Sequence, residues 1–101
     1  MKIDSAEAKK RLDMEKEIIL LDVRTREEYI QNHIPGSTLI PLNLLESEAS
    51  QTLLDTQAPI FVYCRSGVRS RVAVEMLLKQ GYTNVLDMGG IVSWPYTTVS
   101  G

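Results

Sequence analysis

The sequence predicts an α/β domain on a parallel sheet, and three observations predict it. Two unbroken apolar runs, IILLDV (residues 18–23) and IFVYC (60–64), have the length and composition of strands buried on both faces. Amphipathic stretches follow them, joined by short connections, so that strand and helix alternate along the chain. The 101 residues suffice for one core, which makes 1–101 a single domain.

Each element has its own reason. After the first apolar run, TREEYIQNH (25–33) reads as a helix with Thr25 as N-cap. Its Glu27 and Glu28 favour the positive end of the helix dipole, and Tyr29 and Ile30 turn inward. IPG (34–36) stops it, because a proline forces extension before it and a glycine permits a turn. STLIPL (37–42) is a short strand, and much of Leu42 to Leu54 forms a second helix. Pro59 leads into the strand Ile60 to Cys64, rich in β-formers. From about Arg69 to Gln80 the pattern is helical: Val72, Ala73, Met76 and Leu77 share one face, with Arg71, Glu75 and Lys79 opposite. Gly81 is its stop, NVLDM (84–88) is another strand, and GGIVSW (89–94) opens a last turn or helix.

Composition narrows the function. A formal net charge of −2 argues against broad binding to nucleic acid or an anionic membrane, so positive charge must act locally. One cysteine and one histidine give no disulfide framework and no metal-ligand spacing, and no cofactor motif is present. MKIDSAEAKKRL carries charges where a signal peptide has its apolar segment, and no apolar run nears the roughly 20 residues that cross a bilayer. The expectation is a soluble, cytoplasmic protein in a reducing compartment.

The stretch YCRSGVRSR (63–71) gathers that local charge: the single cysteine stands with Arg65, Arg69 and Arg71. It begins at the carboxyl end of a strand, where ligands bind in open parallel sheets. Gly67 tolerates the positive φ of a tight curl, and successive N–H groups in such a curl form an anion-binding nest. The following helix adds its unsatisfied N–H groups. A cysteine at the rim of that cradle has its thiolate stabilised and needs no separate base. Two readings of Cys64 stay open on these grounds, a buried structural thiol and a nucleophile beside an oxyanion site. Arginines at a helix N-terminus oppose the dipole, which favours the second reading, with an anion shared among them.

Four segments in order, LLDVRTREEY, NHIPGS, FVYCRSGVRS and VLDMGGIVSW, resemble a single-domain rhodanese, a thiosulfate sulfurtransferase, over about Ile19 to Trp94. The resemblance implies a parallel five-stranded sheet flanked by helices on both faces. It implies that the Cys64 thiolate takes the outer sulfur of thiosulfate or another sulfane donor as a persulfide. A thiophilic acceptor (cyanide, a small thiol or a thioredoxin-like protein) then removes that sulfur. The backbone of Arg65, Ser66, Gly67, Val68, Arg69 and Ser70 would cradle the persulfide, with Arg65 and Arg69 holding thiosulfate oxygens.

Related cysteine phosphatases space their Cys and Arg by five residues. Here four residues separate Cys64 from Arg69, and Ser70 stands in the phosphatase arginine's place, which disfavours that chemistry. Arsenate reduction by a relay of thiols lacks its second cysteine. Four further residues are expected to support the site, Asp22 and Arg24 on the strength of the resemblance. Asp22 and Arg24 end the first buried strand, and Arg24 can pair with Glu28 at helical spacing, worth roughly 0.2–0.5 kcal/mol. Gly89 and Gly90 line the pocket where backbone must approach closely. His33 belongs to a turn, and Trp94 to the core or pocket wall.

Overall fold

The computed structural model describes all 101 residues. In chain order the elements are α1 (Ser5–Met14), β1 (Ile19–Asp22), α2 (Arg26–Gln31), β2 (Thr38–Leu39), α3 (Leu42–Thr52), β3 (Ile60–Cys64), α4 (Val68–Lys79) and β4 (Val85–Gly90), then a 3-10 turn, Ile91–Ser93. All strand pairs are parallel, in the order β2-β1-β3-β4. The chain steps from β1 outward to β2 and then returns past β1 to β3. The direction of winding therefore reverses between β1 and β3, and a crevice opens at their carboxyl ends.

β3 explains why its sequence is continuously apolar. All five of its residues are buried, and alternate side chains serve opposite faces. Ile60, Val62 and Cys64 join the cluster under α3 and α4, with Leu45, Ala49, Ala73 and Leu77. Phe61 and Tyr63 join the cluster on the other face, with Ala8 of α1, Ile91 and Trp94. Both faces carry helices, as expected.

The sheet has four strands where five were expected. The fifth place, outside β4, holds a single parallel bridge between Lys2 and Asp87. The extended run there is used up at once, because Asp4 accepts a hydrogen bond from the Glu7 N–H and starts α1 at Ser5. That helix had no prediction. Half of its residues are charged, it buries only Ala8, and it is laced by the pairs Lys9–Asp13 and Arg11–Glu15. Helix α4 begins at Val68, and its inward face carries Val74 in place of Val72, which is 42% exposed. Gly81, at φ 102°, stops α4 as its sequence position suggested. No helix is long and apolar enough to cross a membrane.

Candidate functional site

Cys64 ends β3 on the α4 face and is 1% exposed. The chain then turns at Gly67, whose φ of 107° lies in the left-handed region, and enters α4 at the next residue. The turn aims the Gly67 N–H at the sulfur: it donates to Cys64 Sγ at 3.0 Å. A donor so placed stabilises negative charge on sulfur. Ser70 is fully buried, and its hydroxyl donates to the Gly67 carbonyl at 3.1 Å and more distantly to the Gly89 carbonyl, 3.4 Å away. It thereby ties the turn to β4.

Gly90 shows how tightly the turn is backed. A Cβ there would lie 2.2 Å from the Arg65 carbonyl oxygen and 2.6 Å from the Ser66 Cα, so no other residue fits without a shift of main chain. The Val92 N–H donates to that same Arg65 carbonyl at 3.2 Å. β4 reaches this position through a register shift against Val62 and Tyr63, which pairs Tyr63 with Gly89 and Cys64 with Gly90. Asp87 accepts the Gly89 N–H at 2.8 Å and fixes the bulge. Both glycines named from the sequence thus sit behind the cysteine loop. The side chains of Arg65, Ser66 and Val68 are exposed.

The neighbouring strand exit is closed by charge. Asp22 and Arg24 are 0% and 3% exposed, and Arg24 donates from Nε and Nη2 to the Asp22 carboxylate, at 2.7 Å for the shortest contact. Its Nη2 also donates to the Asn32 carbonyl at 2.6 Å, and no buried polar side-chain atom is left unpaired. The Arg24–Glu28 pair that the helical spacing allows does not form, because Arg24 is turned inward to Asp22 and Asn32. Glu28 faces Arg69 instead, Nη1 to Oε1 at 2.7 Å and Nη2 to Oε2 at 2.9 Å. Arg69, with the Thr25 hydrogen bonds behind it, lowers the Glu28 carboxyl to about 2. Glu28 in turn holds Arg69 above its ordinary value, with smaller help from the charges at Cys64 and Asp22.

By sequence alone Glu28 is a helix-start acid and nothing more. Its signal was the capping box with Thr25; its partner lies 41 residues away and no local pattern announces it. His33 is not in the site. It stacks on Tyr29 at 3.8 Å and bridges Val99. The turn it opens is held by Tyr63, whose hydroxyl accepts the Ile34 N–H and donates to Ser37 Oγ. Burial pushes that phenol well above its usual range. Trp94 is buried in the core, as expected.

Two cavities flank the loop. One of about 270 Å³ is walled by Arg69, Arg24, Thr25 and Asn43 among others, and one of about 380 Å³ by Ser66, Gly67, Val68 and Arg71 with Lys2. No group of three or more His, Cys, Asp or Glu is gathered to hold a metal. The arrangement brings together a buried thiol, a main-chain donor aimed at its sulfur, an exposed guanidinium on Arg65 and a second on Arg69 held by Glu28.

Residues 4–95 match the family described as Rhodanese-like domain. The chain is similar to a sulfurtransferase of Allochromatium vinosum, 38% identical over 93 residues, which cover 91% of this chain and 85% of that protein. It is similar to the thiosulfate sulfurtransferase PspE of Escherichia coli, 37% identical, covering 70% of this chain and 68% of that one. The putative sulfur carrier protein YrkF of Bacillus subtilis is 37% identical over 85% of this chain, which spans only 46% of that protein. The crystal structure of the Alr3790 protein from Anabaena sp. matches with a TM-score of 0.90 at 30% identity, covering 97% of this chain and 91% of that one. With this fold, the loop at Cys64 and these relatives, the chain belongs to the rhodanese-like family of sulfurtransferases and sulfur carriers.

Proposed function

We propose that the protein moves a sulfane sulfur from thiosulfate, or a related donor, to a thiophilic acceptor through a persulfide on Cys64. The observation that carries this reading is the Gly67 N–H aimed at the Cys64 sulfur from a turn at the crevice of the sheet. In the first step the Cys64 thiolate attacks the outer sulfur of thiosulfate. A sulfur–sulfur bond forms, the bond to the sulfonate sulfur breaks, and sulfite leaves with the electron pair. In the second step cyanide, a small thiolate or a thioredoxin-like protein attacks the outer sulfur and returns the Cys64 thiolate. Two anions must meet in the first step, so the exposed Arg65 supplies countercharge to the donor, and Arg69 adds its own where the donor displaces Glu28 from it.

The backbone from Arg65 through Ser66, Gly67, Val68 and Arg69 to Ser70 cradles the added sulfur. Asp22 and Arg24 hold the adjacent strand end, and Gly89 and Gly90 back the loop. The E. coli relative named a thiosulfate sulfurtransferase supports thiosulfate as donor. A lone thiol without a resolving partner suits a reducing, cytoplasmic setting.

A second reading, a persulfide carrier with little turnover, is favoured by two facts: Cys64 is 1% exposed, and one relative is named a putative sulfur carrier. Sulfite and thiocyanate release from thiosulfate plus cyanide, with intact mass read for one added sulfur, separates the readings. Wild type is expected to gain one sulfur and release both products, and Cys64→Ser to do neither. A stable persulfide with almost no thiocyanate identifies the carrier. Failure to take up sulfur from any sulfane donor ends both readings.

A further inference from the structure

A pair of oxygens from within the protein already occupies Arg69. The Glu28 carboxylate meets the guanidinium fork-on through two hydrogen bonds, 2.7 and 2.9 Å long, as a substrate oxyanion would. We propose, resting on the sulfur-transfer reading, that Glu28 is a specificity-determining residue. It cancels the charge of Arg69 and turns the site away from strongly anionic donors, toward neutral or weakly charged sulfane donors.

The position of Glu28 is enforced. It is the third residue of α2, and its Oε1 accepts hydrogen bonds from the Thr25 N–H at 2.9 Å and the Thr25 hydroxyl at 3.1 Å. The carboxylate is therefore anchored by its own helix start while it holds Arg69. No other carboxylate at this edge of the sheet does the same to a loop arginine. Asp22 is engaged by Arg24, and Asp87 accepts the Gly89 N–H, while Arg65 and Arg71 are exposed. Arg69 is thus the one loop cation whose charge is spent inside the protein.

The change would reach the sulfur. Arg69 is the second residue of the helix that the cysteine loop enters, and Coulombic attraction to Cys64 is among the lesser causes that hold Arg69 above its ordinary value. Arg69 also walls the cavity of about 270 Å³, which gives an incoming group access to the guanidinium. A dianionic donor must either displace Glu28 from Arg69 or bind without full use of that cation. A neutral donor meets no such competition.

Cys64 is the only thiol, so alkylation reads this site alone. The probes are iodoacetamide and iodoacetate, nearly equal in size and differing by one negative charge. In each, sulfur forms a bond to carbon and iodide leaves. Rates would be compared for wild type, Glu28→Gln, and Glu28→Gln combined with Arg69→Gln. Glutamine keeps the length of the side chain and can still accept from Thr25.

The iodoacetate-to-iodoacetamide rate ratio is expected to rise about fivefold in Glu28→Gln, the effect of one unit charge through partly screened surface. It should fall back toward wild type in the double variant. A merely structural Glu28 would alter both rates alike and leave the ratio unchanged, which overturns the proposal. So does a gain that survives the loss of Arg69. A Cys64 inert to both reagents overturns the nucleophile reading itself, an outcome distinct from a reactive thiol with an unchanged ratio.

Discussion

β1 and β3 lie side by side, end at the same edge of the sheet, and leave it in opposite ways. The β1 exit is closed by side chains: Asp22 and Arg24 are buried and paired, and Arg24 also reaches the Asn32 carbonyl. The β3 exit is shaped by main chain, with Gly67 in the left-handed region, Gly90 against the Arg65 carbonyl and the Gly67 N–H on sulfur. One exit spends its charges on the fold. The other spends main-chain groups on the cysteine loop and leaves Arg65 exposed to solvent. Both exits are held by hydrogen bonds, but only the second is made by main chain around a buried thiol.

The largest test of this contrast is Asp22→Ala. It leaves the Arg24 charge buried without its carboxylate, and the expected loss of unfolding free energy is about 3–5 kcal/mol, read by urea denaturation. A loss below about 1 kcal/mol would mean that the pair does not close the β1 exit. Gly90→Ala probes the other exit. Its Cβ would press into the Arg65 carbonyl, so a loss of about 1–3 kcal/mol is expected. Faster amide exchange confined to the turn at Ser66 and Gly67 should accompany it, and a substitution silent in both measurements removes Gly90 as the backing of the loop.

The smallest effect concerns the bridge between the two exits, Glu28–Arg69. Because Arg69 lowers the Glu28 carboxyl from 4.5 to about 2, the folded chain keeps this charge more tightly than the unfolded one. The resulting stabilisation is complete above pH 4.5 and is lost as pH falls toward 2. Both partners are partly solvated, so its size is about 0.2–1 kcal/mol. The stability gap between wild type and Glu28→Gln should therefore shrink between those pH values. A gap that is constant or widens on acidification contradicts the pairing.

What could be read in the sequence follows from the range of each interaction. β3, the Thr25 cap, the stop at Gly81 and the turn at Gly67 are local consequences of apolar runs, capping groups and glycine conformation. They were legible for that reason. Helix α1 was not, since its single buried residue, Ala8, leaves almost no periodic pattern in a charged string. The missing fifth strand turned on Asp4 capping a helix just after the bridge at Lys2. Val74 displaced Val72 because α4 starts at Val68 and its inward face follows the contacts with α3 and the sheet. The partner of Arg69 depended on where the fold brings the start of α2 to the start of α4, elements far apart in the chain. The cysteine loop was visible, whereas the carboxylate that answers its arginine was not.

The contact made to the Cys64 sulfur is an amide N–H, and every residue but proline owns one. Shape at this site is therefore demanded of Gly67 and Gly90, while Ser66 and Val68 point their side chains to solvent. The loop thus separates two kinds of information. Its backbone fixes the contact to the Cys64 sulfur, and in the proposed transfer its outward side chains are left to select the donor and the acceptor.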